Sequence, residues 1–277
     1  MSDPAAVAQG GADWALPLRL VRTLPMLRVA EREARVWVRY WRTTLLSGTL
    51  MPLMFLGAMG VGLGGLVDDN QGTVEGVEYL AFVAPGILAA TALQAAAGNS
   101  LWPVMGGMKW MRTFHAAAAT PVSPGQVYGG YLAWSVARIV VNATLFVAVA
   151  ALLGGVPSAW GVLAIPAAAL GGLAFAAPLT AFSAGAESDV TFPIVMRIAV
   201  MPMFLFSGTF FPVDQLPGWL QPVAWLTPLW HAVELCRGAT TGSISLGAAL
   251  GHLAVLAAVT GWGCRWGVRT FRSRLAA

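Results

Sequence analysis

The sequence predicts an all-α integral membrane protein with six transmembrane helices. Of its 277 residues, 57% are hydrophobic and only 10% are charged. A soluble domain usually carries about a quarter charged residues, so this chain has too few to cover a water-facing surface of its size. Six stretches reach the ~20 mainly apolar residues that a membrane span needs. They are 43–67, 79–102, 129–154, 159–184, 190–212 and 243–266.

The charges between these stretches predict the orientation. Basic residues precede the first span, lie between the second and third spans (Lys109, Arg112) and follow the sixth. The segment between the first two spans has only acids: Asp68, Asp69, Glu75 and Glu78. The positive-inside rule then places both termini in the cytoplasm and the acidic segment outside. The alanine- and arginine-rich composition is typical of a GC-rich bacterium, in which we expect the chain to cross the inner membrane. We expect residues 1–25 to be a cytoplasmic tail without a removable signal peptide, and 43–277 to form one six-helix transmembrane domain with a short cytoplasmic C-terminal tail.

Residues 26–42 are predicted to form an amphipathic helix. One stripe is apolar, at three- and four-residue spacing: Leu27, Ala30, Ala34, Trp37 and Trp41. The other stripe is basic: Arg28, Arg32, Arg35, Arg39 and Arg42. Such a helix lies along the cytoplasmic membrane surface, with its rings in the interface and its guanidinium groups toward the phosphates. It serves either as a simple topology anchor or as a docking site.

The segment 212–238 is apolar, but four prolines prevent it from forming one spanning helix: Pro212, Pro217, Pro222 and Pro228. We expect short helices here, half sunk in the outer leaflet, which make a re-entrant or interfacial hairpin before the last span. Irregular backbone at that depth has to pack against protein or line a wet cavity.

The cytoplasmic loop 103–127 is the strongest candidate for a functional contact. It places apolar and aromatic residues beside cations: Met108, Lys109, Trp110, Met111, Arg112, Phe114 and His115. If these side chains are exposed, they fit a groove on a partner protein. The alternative is a basic loop that rests on anionic lipid, and the residues alone leave both open.

Several kinds of chemistry are not predicted for this chain. Its single lysine, Lys109, has no Gly-x4-Gly-Lys-Ser/Thr context, so a P-loop ATPase site is excluded. Cys236 and Cys264 have no metal or redox spacing, and the three histidines lie in separate regions. We therefore expect no catalytic residue, no metal site and no cofactor on this chain.

A run near the end of the fifth span resembles a known family. Phe206-Ser207-Gly208-Thr209-Phe210-Phe211-Pro212-Val213-Asp214-Gln215-Leu216-Pro217 is followed, after ten residues, by Pro228-Leu229-Trp230-His231 and then by Arg237. This pattern resembles the fifth span and outer turn of ABC type-2 exporter permeases, although Thr209 is larger than the family's usual residue. The permeases that export lipo-chitooligosaccharides in nodulation and the drug-resistance permeases are the most similar members. The motif residues are Gly208, Pro212, Leu216, Pro217, Pro228, His231 and Arg237.

The resemblance implies a dimer, with a second copy or a paralogue, and two separate ABC ATPase subunits that bind ATP and magnesium. It also implies that these subunits contact the 26–42 helix and the 103–127 loop. The expected coupling residues are Arg28, Arg32, Arg35, Met108, Lys109, Trp110, Arg112, Phe114 and His115.

The resemblance further implies export of an amphipathic lipid, a glycolipid or lipo-oligosaccharide, or a hydrophobic drug. Spans one and five are expected to line the route, with Met54, Phe55, Met203, Phe206 and Phe210. Ordinary helix packing is the alternative for each of these residues. Membrane lipid is a further expected contact, and nucleic acid is not.

Two other functions compete with the exporter. A lipid-modifying membrane enzyme needs polar residues that converge at one depth, and the sequence does not assemble such a set. An ATP-independent transporter favours midplane acids or broken helices and an inverted repeat, which are not visible either. Only the exporter needs an ATPase partner. Mutations in the 103–127 loop that abolish ATPase binding would therefore favour the exporter over the other two functions.

Overall fold

A computed structural model describes residues 25–276, and the predicted tail up to residue 24 lies outside them. Every regular element in this range is a helix. Six helices are long and apolar enough to cross a membrane, which confirms the predicted number. They are α2 (Trp41–Val67), α3 (Tyr79–Trp110), α5 (Pro124–Leu152), α6 (Ala159–Gly185), α7 (Asp189–Phe206) and α10 (Leu246–Leu275). The shorter helices are α1 (Pro25–Trp37), α4 (Thr113–Ala118), α8 (Gln221–Leu226) and α9 (Pro228–Thr241).

The core is built around α3, which packs against α5, α6 and α9, while α6 also packs along α10. Small residues allow these helices to approach closely, as is usual between membrane helices. At Gly171 the backbone of α6 comes so near Ala232 of α9 that a side chain would not fit. At Gly172 the same helix closely approaches Ile139 of α5 and Ala92 of α3.

Tyr128 ties α5 to two further helices. Its hydroxyl lies 3.0 Å from the carbonyl oxygen of Ala177 in α6 and 3.2 Å from that of Gly263 in α10. Its ring packs on Phe271, with the ring centroids 5.1 Å apart. Because all of these groups are buried, the contacts fix one end of the bundle. The first residues of α5 and the last residues of α6 and α10 lie at this end. We call it the basic end.

Helix α1 is shorter than predicted. It ends at Trp37, and a turn through Val38–Tyr40 separates it from α2, so Arg39 and Arg42 do not belong to it. Its most buried residue is Val29, which packs against Gly130 of α5. The ring of Trp37 packs edge to face on that of Trp134 of α5, with the ring centroids 5.8 Å apart. The predicted amphipathic helix therefore packs on protein along α5.

Three spanning helices change locally to π-helical geometry. The segments are Leu56–Leu63 in α2, Gly106–Trp110 in α3 and Met196–Val200 in α7. A proline precedes each by three or four residues: Pro52, Pro103 and Pro193. Single π turns inside α-helices are frequently found at functional sites.

The fifth span ends earlier than predicted, at Phe206 instead of Pro212. The chain then turns at Gly208, whose φ of +77° is the left-handed conformation that glycine adopts readily. The next residue, Thr209, crosses α3 so closely that a Cβ at Gly86 would lie 2.9 Å from its Cα. Close approach of these two backbones requires the glycine.

The proline-rich segment forms the expected short helices, α8 and α9, which are separated by Thr227. The expectation that all of it is half sunk in lipid is wrong for α9. Most of that helix is buried, and it packs against α3, α6 and α10. In α8, by contrast, Val223, Trp225 and Leu226 are exposed.

Candidate functional site

A partly open cleft lies between α2, α3 and α7, with one side chain from α5. Its volume is about 530 Å³, within the 300–1,000 Å³ typical of sites that hold small organic ligands. The residues that line it are Gly48, Met51, Pro52, Phe55, Ile87, Thr91, Gln94, Ala95, Asn142, Met196, Arg197, Val200, Met201 and Phe204. Apolar side chains therefore form most of the wall, and a few polar groups interrupt it.

The polar groups of the cleft differ in whether they already have a hydrogen-bond partner. The hydroxyl of Thr91 donates to the carbonyl oxygen of Ile87 at 2.7 Å, within its own helix. The amides of Gln94 and Asn142 and the guanidinium of Arg197 make no hydrogen bond to other described residues. Gly48 leaves the space that Asn142 occupies, since a Cβ there would lie 2.8 Å from its amide nitrogen. Three hydrogen-bonding groups are thus available to a ligand.

An aromatic trio closes the end of the cleft far from α1. The centroids of Phe204 and Phe210 are 5.1 Å apart, and Phe55 lies 6.1 Å and 6.3 Å from them. Such clusters favour edge-to-face and tilted contacts, which hold the rings in place.

The expected substrate-route residues are only partly brought together. Phe55 lines the cleft, and Phe210 supports it through the trio. Met54 is 62% exposed on the outer side of α2, and Met203 packs against the core. Phe206 is partly exposed at the end of α7. None of the last three lines the cleft.

At the basic end, Glu187 connects three elements. The Nζ of Lys109 lies 3.7 Å from its Oε2 and donates to its backbone carbonyl. Arg274 donates to Oε1 at 2.9 Å and to the carbonyl oxygen of Gly185 at 2.5 Å. The hydrogen bond from Arg274, together with the charge of Lys109, lowers the pKa of Glu187 below its ordinary value of 4.5. The ends of α3 and α10 are thereby held to the α6–α7 connection.

The segment 103–127 is mostly helical and not an open loop. The end of α3 reaches Trp110, α4 follows, and α5 begins at Pro124. Trp110 and Arg112 are exposed, and Arg112 adopts a left-handed φ of 49° between the two helices. The expectation of exposure is wrong for Met108 and Phe114, which are buried.

Phe114 is held in the core by aromatic contacts. Its ring centroid lies 5.5 Å from those of both Tyr131 and Phe271. Since Val29 of α1 packs on Gly130, α1 and α4 contact neighbouring residues of α5. The two segments that were predicted separately to meet a partner therefore lie side by side, with His115 half-buried in α4.

The cations of α1 are largely paired within the helix. Arg32 contacts Glu33 at 2.5 Å, and Arg35 pairs with Glu31 one turn away. Burial raises the pKa of Glu33, and this effect outweighs the nearby charges of Arg32 and Arg138. Arg28 is exposed on the same helix.

The seven motif residues form a structural connection at the opposite end of the molecule, far from the cleft's Arg197. Arg237 is buried, donates to Glu234 at 2.8 Å and to the carbonyl oxygen of Gly208 at 2.5 Å, and lies 3.9 Å from the ring centroid of Phe82. It thus joins α9, the turn after α7 and α3.

The rest of the motif shapes the chain around this contact. Pro212 and Pro217 flank the short turn at Val213–Gln215, and Leu216 packs in a small apolar cluster. Pro228 begins α9. His231 meets His252 of α10, with their Nδ1 atoms 2.8 Å apart.

Comparison with known proteins decides the family. A model of the ABC-2 type transporter family matches residues 27–240. The chain belongs to this family. Nodulation protein J of Rhizobium leguminosarum bv. viciae is 32% identical over 252 residues, which cover 91% of each protein. Nodulation protein J of Rhizobium meliloti (strain 1021) is 33% identical over 84% of this chain and 88% of that protein.

A more distant relative is the inner membrane transport permease YadH of Escherichia coli (strain K12). It is 23% identical over 74% of this chain and 76% of its own length. ABC-2 proteins of this type are multi-pass membrane permease subunits of ABC transporters, and they work with ABC ATPase subunits. The sequence resemblance to ABC type-2 permeases is confirmed.

The polar residues that give this ABC-2 permease its cleft, Gln94, Asn142 and Arg197, were not predicted from the sequence. The signal that would have found them is a polar side chain inside an apolar span. Among the described residues, no group of three His, Cys, Asp or Glu side chains is placed to hold a metal ion.

Proposed function

We propose that this chain is the membrane-spanning subunit of an ATP-driven exporter for an amphipathic lipid, a glycolipid or lipo-oligosaccharide, or a hydrophobic drug. The substrate leaves the cytoplasm or the inner leaflet, and a separate subunit hydrolyses ATP. The cleft carries this proposal, because an apolar wall with a few polar groups suits a molecule with both characters. Its partial opening suits entry from the side.

The basic end supports docking of the ATPase subunits. Trp110 and Arg112 are exposed next to α4. Helix α4 and α1, which carries the exposed Arg35, contact neighbouring residues of α5 through Phe114 and Val29. Aromatic side chains and arginine are common anchors in protein interfaces. Lys109 and Arg274 connect this surface through Glu187 to the start of α7, which lines the cleft. Movement of the docked subunit would thereby reach the substrate route.

Helices α2 and α7 support a second permease protomer, either another copy or a paralogue. Both present large apolar side chains to the outside, among them Leu50 and Met54 in α2 and Ile194 and Ile198 in α7. ATP-driven closure of the ATPase pair would shift the two protomers between arrangements open to either side. In this account both termini face the cytoplasm, as the positive-inside rule predicts.

Co-purification tests the docking surface. The full chain is expressed with the ABC ATPase encoded beside it, as wild type, as Trp110→Ala/Arg112→Ala and as Trp160→Ala. Trp110 and Trp160 are 65% and 67% exposed, but Trp160 lies at the opposite end of the molecule, so it is a matched control. We expect the double variant to lose ATPase binding and ATP hydrolysis while the control keeps both.

Retention of the ATPase by the double variant would contradict the docking surface. Failure of any ATPase to bind the wild type would contradict the exporter itself and favour an ATP-independent transporter or a membrane enzyme.

A further inference from the structure

The cleft contains a cation that no described residue neutralises. The ion pairs of the described chain use other cations: Arg32, Arg35, Lys109, Arg237 and Arg274. No Asp or Glu is among the residues that line the cleft around Arg197. Glu187, ten residues before it, is bound by Lys109 and Arg274. Asp189 lies eight residues earlier, about 12 Å away along a helix axis.

An unpaired cation at this position is costly unless an anion reaches it. Arg197 lies inside a spanning helix, where charged side chains are rare and usually mark a functional path. It also belongs to the π-helical segment Met196–Val200, which alters the directions of the side chains around it. Arg197 is exposed in the partly open cleft, so an anionic group can reach its guanidinium from outside.

Beside Arg197, the cleft offers hydrogen-bonding amides and an apolar wall to a ligand. The amides of Gln94 and Asn142 can each donate and accept hydrogen bonds, so they suit hydroxyl or amide groups of a ligand. The apolar remainder, including Met201, Phe55 and Phe204, suits a hydrocarbon chain. Arg197 lies about two turns from the basic end of α7, and Phe204 lies near the other end of that helix.

We propose that the cleft binds anionic amphiphiles, with their phosphate, sulfate or carboxylate group on Arg197. The amides of Gln94 and Asn142 bind adjoining polar groups, and Phe55 and Phe204 contact the apolar part. Guanidinium groups bind such oxyanions through two parallel hydrogen bonds. This inference rests on the proposed export function and narrows its substrate class from amphipathic molecules in general to negatively charged ones.

The test is equilibrium binding of radiolabelled dodecyl phosphate to the full chain in phosphatidylcholine nanodiscs. The variants are Arg197→Gln, Arg197→Lys and Arg269→Gln. Arg269 is an exposed cation at the basic end of α10, outside the cleft, and is the matched control. We expect about a tenfold loss of affinity in Arg197→Gln, because the glutamine amide can still donate one of the two hydrogen bonds and one ionic hydrogen bond is lost. Arg197→Lys should keep most of the affinity, and Arg269→Gln all of it.

Competition separates the possible ligand chemistries. Unlabelled dodecyl phosphate should displace the label, whereas dodecyl maltoside and inorganic phosphate should not. Equal competition by the maltoside would overturn the preference for an anion. Equal competition by inorganic phosphate would overturn recognition of the apolar part. Unchanged binding in Arg197→Gln would overturn the assignment of the arginine.

A second measurement separates this inference from the proposed function. With the ATPase subunits bound, dodecyl phosphate should stimulate ATP hydrolysis by the wild type and by Arg197→Lys, but not by Arg197→Gln. Binding to wild type without stimulation would mean that the anion is a resident lipid, which overturns the substrate assignment. Absence of any ATPase complex would instead overturn the export function, while the nanodisc result would still report on the cleft.

Discussion

Helices α3 and α7 are both apolar enough to span a membrane, but they occupy very different surroundings. In the most apolar stretch of α3, 78% of the residues are buried in the protein, whereas in that of α7 only 11% are. Helix α2 resembles α7, with 18% buried. Hydropathy does not distinguish them, because lipid and a protein core are about equally apolar.

Burial together with side-chain contacts separates a scaffold from a working surface, since α10 is also only 11% buried but is tied to α5 through Tyr128. The helices around α3 are joined by close glycine contacts, by Tyr128 and by Arg237. Helices α2 and α7 form much of the cleft and carry two of the three π-helical segments, while the free polar groups come from α7 (Arg197), α3 (Gln94) and α5 (Asn142). Substitutions in the scaffold should therefore cost stability, and those in α2 and α7 should cost activity.

The largest effect on stability is expected for Phe114 and not for Trp110, although both were predicted to contact the ATPase. Phe114→Ala removes a ring that is 2% exposed, and we expect it to lower the free energy of unfolding by about 3–5 kcal/mol. Trp110→Ala should leave stability unchanged and weaken ATPase binding. Thermal unfolding followed by size-exclusion chromatography measures the first effect. A stable Phe114→Ala variant would contradict the assignment of Phe114 to the scaffold.

A smaller loss is expected where α3 meets the turn after α7. In Gly86→Ala the new methyl group meets the backbone of Thr209, and we expect a loss of about 1–3 kcal/mol. Gly98→Ala in the same helix has nothing within 4 Å of the added carbon, so it is the control and should be neutral. Equal melting temperatures for the two variants would contradict the packing described for α3.

In the cleft, Phe55→Ala should change function more than stability. The ring is partly exposed and touches the other two members of the trio, so its loss leaves the scaffold intact. We expect unchanged thermal stability and weaker stimulation of ATP hydrolysis by an amphipathic substrate. A fall in melting temperature as large as that of Phe114→Ala would show that α2 belongs to the scaffold.

The smallest effect concerns Glu187, whose contacts are on the surface. Because its pKa is lowered in the folded protein, ionised Glu187 stabilises the fold above pH 4.5, and this contribution disappears as the pH falls through the lowered pKa. Glu187→Gln should slightly lower the melting temperature at pH 7, and its difference from the wild type should shrink as the pH falls below 4.5. A difference that does not shrink with falling pH would contradict an ionic connection.

The number and approximate ends of the spans could be predicted because length and apolarity are sufficient for them. The early end of α7 could not, since it depends on Arg237 and Phe82, which are distant in sequence from Gly208. Nor could the burial of Phe114, whose partners Tyr131 and Phe271 come from α5 and α10. The cleft was missed for the same reason: its polar groups come from three separate spans.

Site-directed cross-linking tests the working surface most directly. Cys264 is first replaced by Ala, which leaves buried Cys236 as the only native cysteine. Ile198→Cys on α7 or Leu250→Cys on α10, both exposed, is then added, and native membranes are treated with a short bismaleimide. The account predicts a product of about twice the mass for Ile198→Cys and none for Leu250→Cys. Equal labelling without cross-linking at both positions would contradict a second protomer on α7.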